Sequence, residues 1–222
     1  IPIFEKQTGL TVHLSSGSSM GASPTAIPNR LDRGERFDVV VLAAPELNKL
    51  AEKGYVGPNS QSALVNSSIG MAVPKGAPKP DISSAEKFEK VLLNAKHIGY
   101  SASASGTHLE KDIFPSFPHV EYKVIAAKAE KVVGDRVAKR IAEGQFDIGF
   151  QQISEIKPFT GKYGQVDLVG PIPAPYQKVT VFAAGIGKNS EHEKVAKELI
   201  KFVKSPQATQ IIEQQGLEQI KQ

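Results

Sequence analysis

A strand that runs into a glycine- and hydroxyl-rich turn and then a helix is suited to holding an anion, because free backbone N–H groups and serine hydroxyls converge there. The segment Ser15-Ser16-Gly17-Ser18-Ser19-Met20-Gly21-Ala22-Ser23-Pro24 has this form, and Tyr100-Ser101-Ala102-Ser103-Ala104-Ser105-Gly106-Thr107-His108 repeats it. Ser18, Ser19 and Met20 of the first turn are expected to contact a ligand, as are Ser103, Ser105, Gly106, Thr107 and His108 of the second. Each turn also suits a plain helix cap, since Gly and Ser mark turns wherever they cluster. His108 fits either an exposed first-turn side chain or a group that bonds an oxyanion and carries a proton. A third candidate is Gly149-Phe150-Gln151-Gln152, where a short strand ends on two amides that can donate to carboxylate oxygens without adding charge. Tyr176 and Lys178 add a phenol and a cation.

Other chemistries find less support. Gly17-Ser18-Ser19-Met20-Gly21 matches a serine-nucleophile turn, but only His192 follows it in the order a triad would need. The five histidines have no neighbours at metal-ligand spacing, so no metal is expected. The chain has no cysteine, which removes disulfides and thiolate chemistry. Phosphate-binding glycine motifs are absent too, and no cofactor is expected.

The elements that must position these groups alternate. Strands are predicted at 12–16, 38–42, 69–74, 97–101, 120–124, 147–150, 166–169 and 178–184. Helices are predicted at 26–33, 45–53, 84–95, 105–114, 132–143, 191–204 and 206–215, and the first eight residues read as the end of another, stopped by Gly9. Such alternation argues for mainly parallel sheets flanked by helices. Pro-rich breaks at 75–80 and 171–175 divide the chain into one lobe of 1–74 plus 176–222 and a second of 75–175, with crossings near 71–78 and 171–182. A cleft between two such lobes is the expected ligand site.

Composition narrows the classes. In 222 residues, 40% hydrophobic and 23% charged, no apolar run reaches the roughly 18 residues of a membrane helix. The 27 basic residues exceed the 23 acidic ones without clustering, so no nucleic-acid stripe is expected.

Phe4-Glu5-Lys6-Gln7-Thr8-Gly9, Arg36-Phe37-Asp38-Val39-Val40-Val41, Leu50-Ala51-Glu52-Lys53-Gly54-Tyr55-Val56, Met71-Ala72-Val73-Pro74-Lys75-Gly76 and Glu143-Gly144-Gln145-Phe146-Asp147-Ile148-Gly149-Phe150 follow one another in an order that resembles the molybdate-binding-protein family of type II periplasmic solute-binding proteins. The resemblance implies a two-lobed Venus-flytrap α/β fold, a periplasmic location, a monomer, and delivery of a small anion to the permease of an ABC importer. It also implies a signal peptide, a first strand and a serine loop ahead of Ile1. Gln152 stands where molybdate binders carry a ligand-touching tyrosine, which favours a larger organic carboxylate over a tetrahedral oxyanion. Ser-Met-Gly-Ala-Ser-Pro-Thr-Ala-Ile-Pro at 19–28 and Gln-Lys-Val-Thr-Val-Phe at 177–182 resemble the subgroup that includes bacterial aconitate isomerase, which implies an alternative enzymatic role with His108 as proton carrier.

Overall fold

The computed structural model describes residues 1–220. In chain order its elements are α1 (Pro2–Thr8), α2 (Ile27–Asp32), β1 (Val39–Ala43), α3 (Ala44–Glu52), β2 (Ser62–Ser67), β3 (Ile69–Pro74), α4 (Ala85–Asn94), β4 (Ile98–Ser101), α5 (Ala104–His108), α6 (His119–Ala126), β5 (Ala129–Val132), α7 (Val137–Ala142), β6 (Ile148–Gln152), α8 (Ile153–Ile156), β7 (Val166–Pro171), β8 (Thr180–Ile186), α9 (Glu193–Val203), α10 (Pro206–Gln214) and β9 (Leu217–Gln219). They form two compact units. The first holds residues 1–65, 181–213 and the described residues from Glu218 on, and the second holds 66–180 and 214–217.

The first unit is built on a four-stranded sheet of order β1-β8-β2-β9, with β1 antiparallel to β8. The β-branched run of β1 makes it a strand, and Leu42, Leu47, Leu50 and Val56 close a core beneath it with α3. Pro45 in the first turn of α3 and the left-handed Gly54 just past its end set the limits of that helix. Residues 12–16, expected to be a strand, are not one. Among the described residues no strand pairs with them, and an extended segment without a partner gains no ladder.

The second unit carries a five-stranded sheet of order β5-β4-β6-β3-β7 between two layers of helices. Strands β5, β4 and β6 run parallel, whereas β3 is antiparallel to both β6 and β7. One face packs Ile69, Met71, Ile98 and Phe150 against Phe88, Leu92, Leu109 and Ile113. The other packs Ala72 and Phe146 against Val137, Ile141 and Ile156. Two glycines set the spacing of that second layer. A Cβ at Gly149 would lie 2.5 Å from Val137 Cγ1, and one at Gly99 would lie 2.5 Å from Phe146 Cδ2.

The structure redraws several expected elements. Residues 120–124 lie in helix α6, which Pro118 opens and whose buried residue is Ile125. The expected helix over 132–143 is the end of β5, a turn at Gly134 and then α7. Strand β3, placed above in the first lobe, belongs to the second sheet, and residues 66–68 and 176–180 also lie in the second unit. Gln177 fixes β3 there: its Oε1 accepts from Ile69 N at 2.8 Å while its Nε2 donates to Ile69 O at 2.9 Å and to Ile172 O at 3.3 Å.

Candidate functional site

Parallel strands deliver their carboxyl ends, and the loops that follow, to one edge of a sheet, which is where α/β proteins bind ligands. In the second unit Ser101 pairs with Val132 and Tyr100 with Phe150, so β4, β5 and β6 end together. The segments that leave this edge carry Ser103 and, in the first turn of α5, Ser105, then Asp135 and Arg136 ahead of α7, then Gln152 at the end of β6 and Glu155 in α8.

The serine turn is tied to itself. Ser101 Oγ lies 2.9 Å from Ser105 Oγ and accepts from Gly106 N at 3.2 Å, and Ser101, Ser105 and Gly106 are all buried. Gly106 must be glycine, because a Cβ there would sit 1.6 Å from the Ser101 carbonyl oxygen. Ser103 caps α5 without a side-chain bond to it and is half-buried, as is Thr107. Ser105 is therefore part of the frame of this turn, and Ser103 stands half-buried at its start.

His108 is engaged at both ring nitrogens, Nδ1 at 2.7 Å from Asp112 Oδ2 and Nε2 at 2.9 Å from the Tyr176 carbonyl oxygen. A carbonyl only accepts, and so does an ionised carboxylate, so Nε2 donates to the Tyr176 carbonyl and Nδ1 donates to Asp112 Oδ2. In this arrangement His108 is a tie between the helix and residue 176, and proton transfer to a ligand would need one bond to open. The bond from His108 holds the Asp112 carboxyl below the usual carboxylate range, helped by Lys178 at 3.7 Å. The Tyr176 ring packs 5.4 Å from Phe88 and 5.5 Å from Phe117, and burial pushes its phenol up. Lys178 is exposed.

The two amides differ. Gln152 is buried and tied at both atoms: Oε1 accepts from Ser67 Oγ at 2.7 Å and Nε2 donates one hydrogen to Thr180 Oγ1 at 3.2 Å. Gln151 is 3% exposed, and its Oε1 has no hydrogen-bond partner. Beside it stands an ion pair absent from the sequence reading, Arg136 Nη1 to Glu155 Oε1 at 2.9 Å. Burial pushes the Glu155 carboxyl up, opposed by the Arg136 guanidinium and by the Gln151 amide. The pair is 19 residues apart, so no local pattern announces it. Asp112, four residues after His108, was legible as a helix-face partner.

In the first unit, residues 17–25 form a closed loop. Ser18 Oγ donates to Met20 O at 2.8 Å, and the buried Ser19 Oγ accepts from Ala43 N at 3.0 Å. Met20 is half-buried. Asn29 Nδ2 donates to the carbonyls of Gly21 and Ser23. Arg30 is absorbed by Glu35 and the face of Phe37.

Among the described residues no group of three or more possible metal ligands occurs, and no helix is long and apolar enough to cross a membrane.

Three comparisons bear on this arrangement. A family model described as "Bacterial extracellular solute-binding protein" matches residues 1–218. Among curated proteins, the chain is 39% identical over 219 residues to an aconitate isomerase from Pseudomonas sp, covering 99% of this chain and 81% of that protein. It is 23% identical to the putative ABC transporter substrate-binding lipoprotein YvgL of Bacillus subtilis, covering 92% and 75%. The periplasmic molybdate-binding protein of Azotobacter vinelandii superposes with a TM-score of 0.73 at 23% identity, over 97% of this chain and 90% of that one. PEB3 bound to L-phospholactate gives 0.68 at 14% identity, over 98% and 91%. The last two are likenesses of fold: two-lobed α/β binding proteins.

Proposed function

We propose, from the premise that this chain belongs to the bacterial extracellular solute-binding protein family, that it takes a small organic polycarboxylate and interconverts cis- and trans-aconitate. The observation that carries this reading is the 39% identity to an aconitate isomerase across 99% of the chain. The reaction moves one proton: it leaves the methylene carbon next to a carboxylate and returns to the former alkene carbon, so that the double bond shifts and its geometry is reset. A protein that does this needs donors for the carboxylates and the developing enolate oxygens. Ser103 and Gln151 at the strand ends of the second unit supply groups of that kind.

The family description and the likeness to YvgL favour a second reading, in which the chain binds the same class of anion in the periplasm as a monomer and hands it to an ABC permease without altering it. One experiment separates them. The protein is incubated with cis-aconitate and the trans isomer is followed by proton NMR, while ligand binding is read from the rise in melting temperature. Catalytic appearance of the trans isomer supports the isomerase; stabilisation without interconversion leaves the importer reading; neither result rejects both.

A further inference from the structure

The polar cluster of Arg136, Glu155 and Gln151 has features that a structural ion pair does not require. The Arg136 and Glu155 side chains are 39% and 34% exposed, so solvent reaches the edge of the pair although the Glu155 carboxyl itself is largely desolvated. A guanidinium fork matches a carboxylate with two parallel bonds, yet only Nη1 is used, and among the described residues Glu155 is its one acidic partner. Behind the pair, Gln151 keeps a side-chain oxygen that is buried and has no donor, an arrangement that costs stability unless some state of the protein supplies one.

We propose that this cluster is a carboxylate subsite with an exchangeable proton: a ligand carboxylate takes the Arg136 fork, Glu155 leaves the ion pair and takes one proton from solvent, and the neutral Glu155 carboxyl donates that hydrogen to Oε1 of Gln151. The inference rests on the reading of the ligand as a polycarboxylate. The Gln151 amide now stabilises the ionised Glu155 through its N–H side, and half a turn about its last torsion presents Oε1 instead. No bond of the ligand changes, and the proton comes from the buffer. Loss of Arg136 removes one of the two influences that oppose burial at Glu155, so proton uptake is the direction in which the site already leans. The other charges on elements packed against α8 are occupied: Asp135 by Lys139 and Arg140, and Asp167 by Lys75 and the Gly76 N–H. Lys157 stands in the turn after α8.

The test is calorimetric titration with tricarballylate, a saturated tricarboxylate that cannot isomerise, in two buffers of different ionisation heat at about pH 6.5. The wild-type chain is expected to take up a proton, approaching one per ligand. Glu155→Gln should keep binding within a few-fold and lose the uptake. Arg136→Ala should weaken binding on the order of tenfold or more, with Arg136→Lys intermediate. Circular dichroism checks that each variant is folded. Wild-type binding without proton uptake, or an Arg136→Ala variant that binds as tightly as wild type, overturns the proposal. If the wild-type chain binds no tricarboxylate, the polycarboxylate reading fails and takes the subsite with it. If it binds with proton uptake but never isomerises aconitate, only the isomerase reading falls.

Discussion

Replacing Gly106 by alanine tests whether the second serine turn is a rigid frame. The ideal Cβ would lie 1.6 Å from the Ser101 carbonyl oxygen, 2.6 Å from its carbon and 2.9 Å from Ser101 N, all backbone atoms that cannot rotate away. Reaching an ordinary contact needs a backbone displacement of nearly 2 Å, far beyond what overpacked cores absorb by rotamer changes. The displacement breaks the bond from Gly106 N to Ser101 Oγ and the Ser101–Ser105 contact, both buried. At roughly 1–3 kcal/mol for each buried group left without a partner, the cost comes to about 3–5 kcal/mol. Gly149→Ala is the control. Its Cβ would meet Val137 Cγ1 at 2.5 Å and Ile141 Cδ1 at 2.7 Å, the ends of side chains that can shift, and about 1–3 kcal/mol is expected. Urea unfolding of wild type and both variants, compared by midpoint at unchanged slope, reads the difference. A Gly106→Ala protein within about 1 kcal/mol of wild type, or a Gly149→Ala protein that suffers more, would refute the reasoning.

Ser19→Ala should lower stability by about 1–3 kcal/mol by stranding the Ala43 N–H, and more than Ser18→Ala, whose hydroxyl bonds a half-buried turn; equal losses in urea unfolding would contradict this. His108→Gln should let the Asp112 carboxyl rise toward its ordinary value, because the His108 bond is the largest cause of its depression; an unchanged Asp112 in an NMR titration would argue against the tie. For Glu155 the folded value lies above the ordinary one, so the stability it contributes is complete below its unfolded pKa and is lost as pH rises through the folded one. The stability difference between wild type and Glu155→Gln should therefore drift against the wild type as pH rises above the ordinary glutamate range, and a flat difference would contradict the burial of that carboxyl.

How far the sequence foretold this molecule depended on how local each signal was. The run Asp38 to Leu42, the capping serine at 83 or 84, which the structure shows to be Ser84, and the left-handed Gly54 announce their elements within a few residues. Val120, Tyr122 and Val124 alternate like a strand, but on helix α6 Val120 and Val124 lie four apart on an exposed face, and the packing of Ile125 and Tyr122 decides the conformation. The serine turns were legible as turns. Which hydroxyls they turn inward was not, since Ser105 and Ser19 are consumed by partners four and 24 residues away. Gln152 announced itself as an amide at a strand end, yet its occupation by Ser67 and Thr180 is set by contacts 85 and 28 residues apart.

The Gln177 side chain impersonates a peptide group. By answering both the N–H and the C=O of Ile69, it behaves as a one-residue stub of an extra strand laid along β3. The position is therefore constrained by polarity pattern and reach together. Glutamate would set a carboxylate oxygen against the Ile69 carbonyl, methionine would match the length and answer neither group, and asparagine would carry the right amide on too short an arm. Because neighbouring residues of a strand face opposite sides, a stub that recognises both groups of a single residue also acts as an index mark, penalising any one-residue slip of β3 that would exchange Met71 and Ala72 between the two core layers.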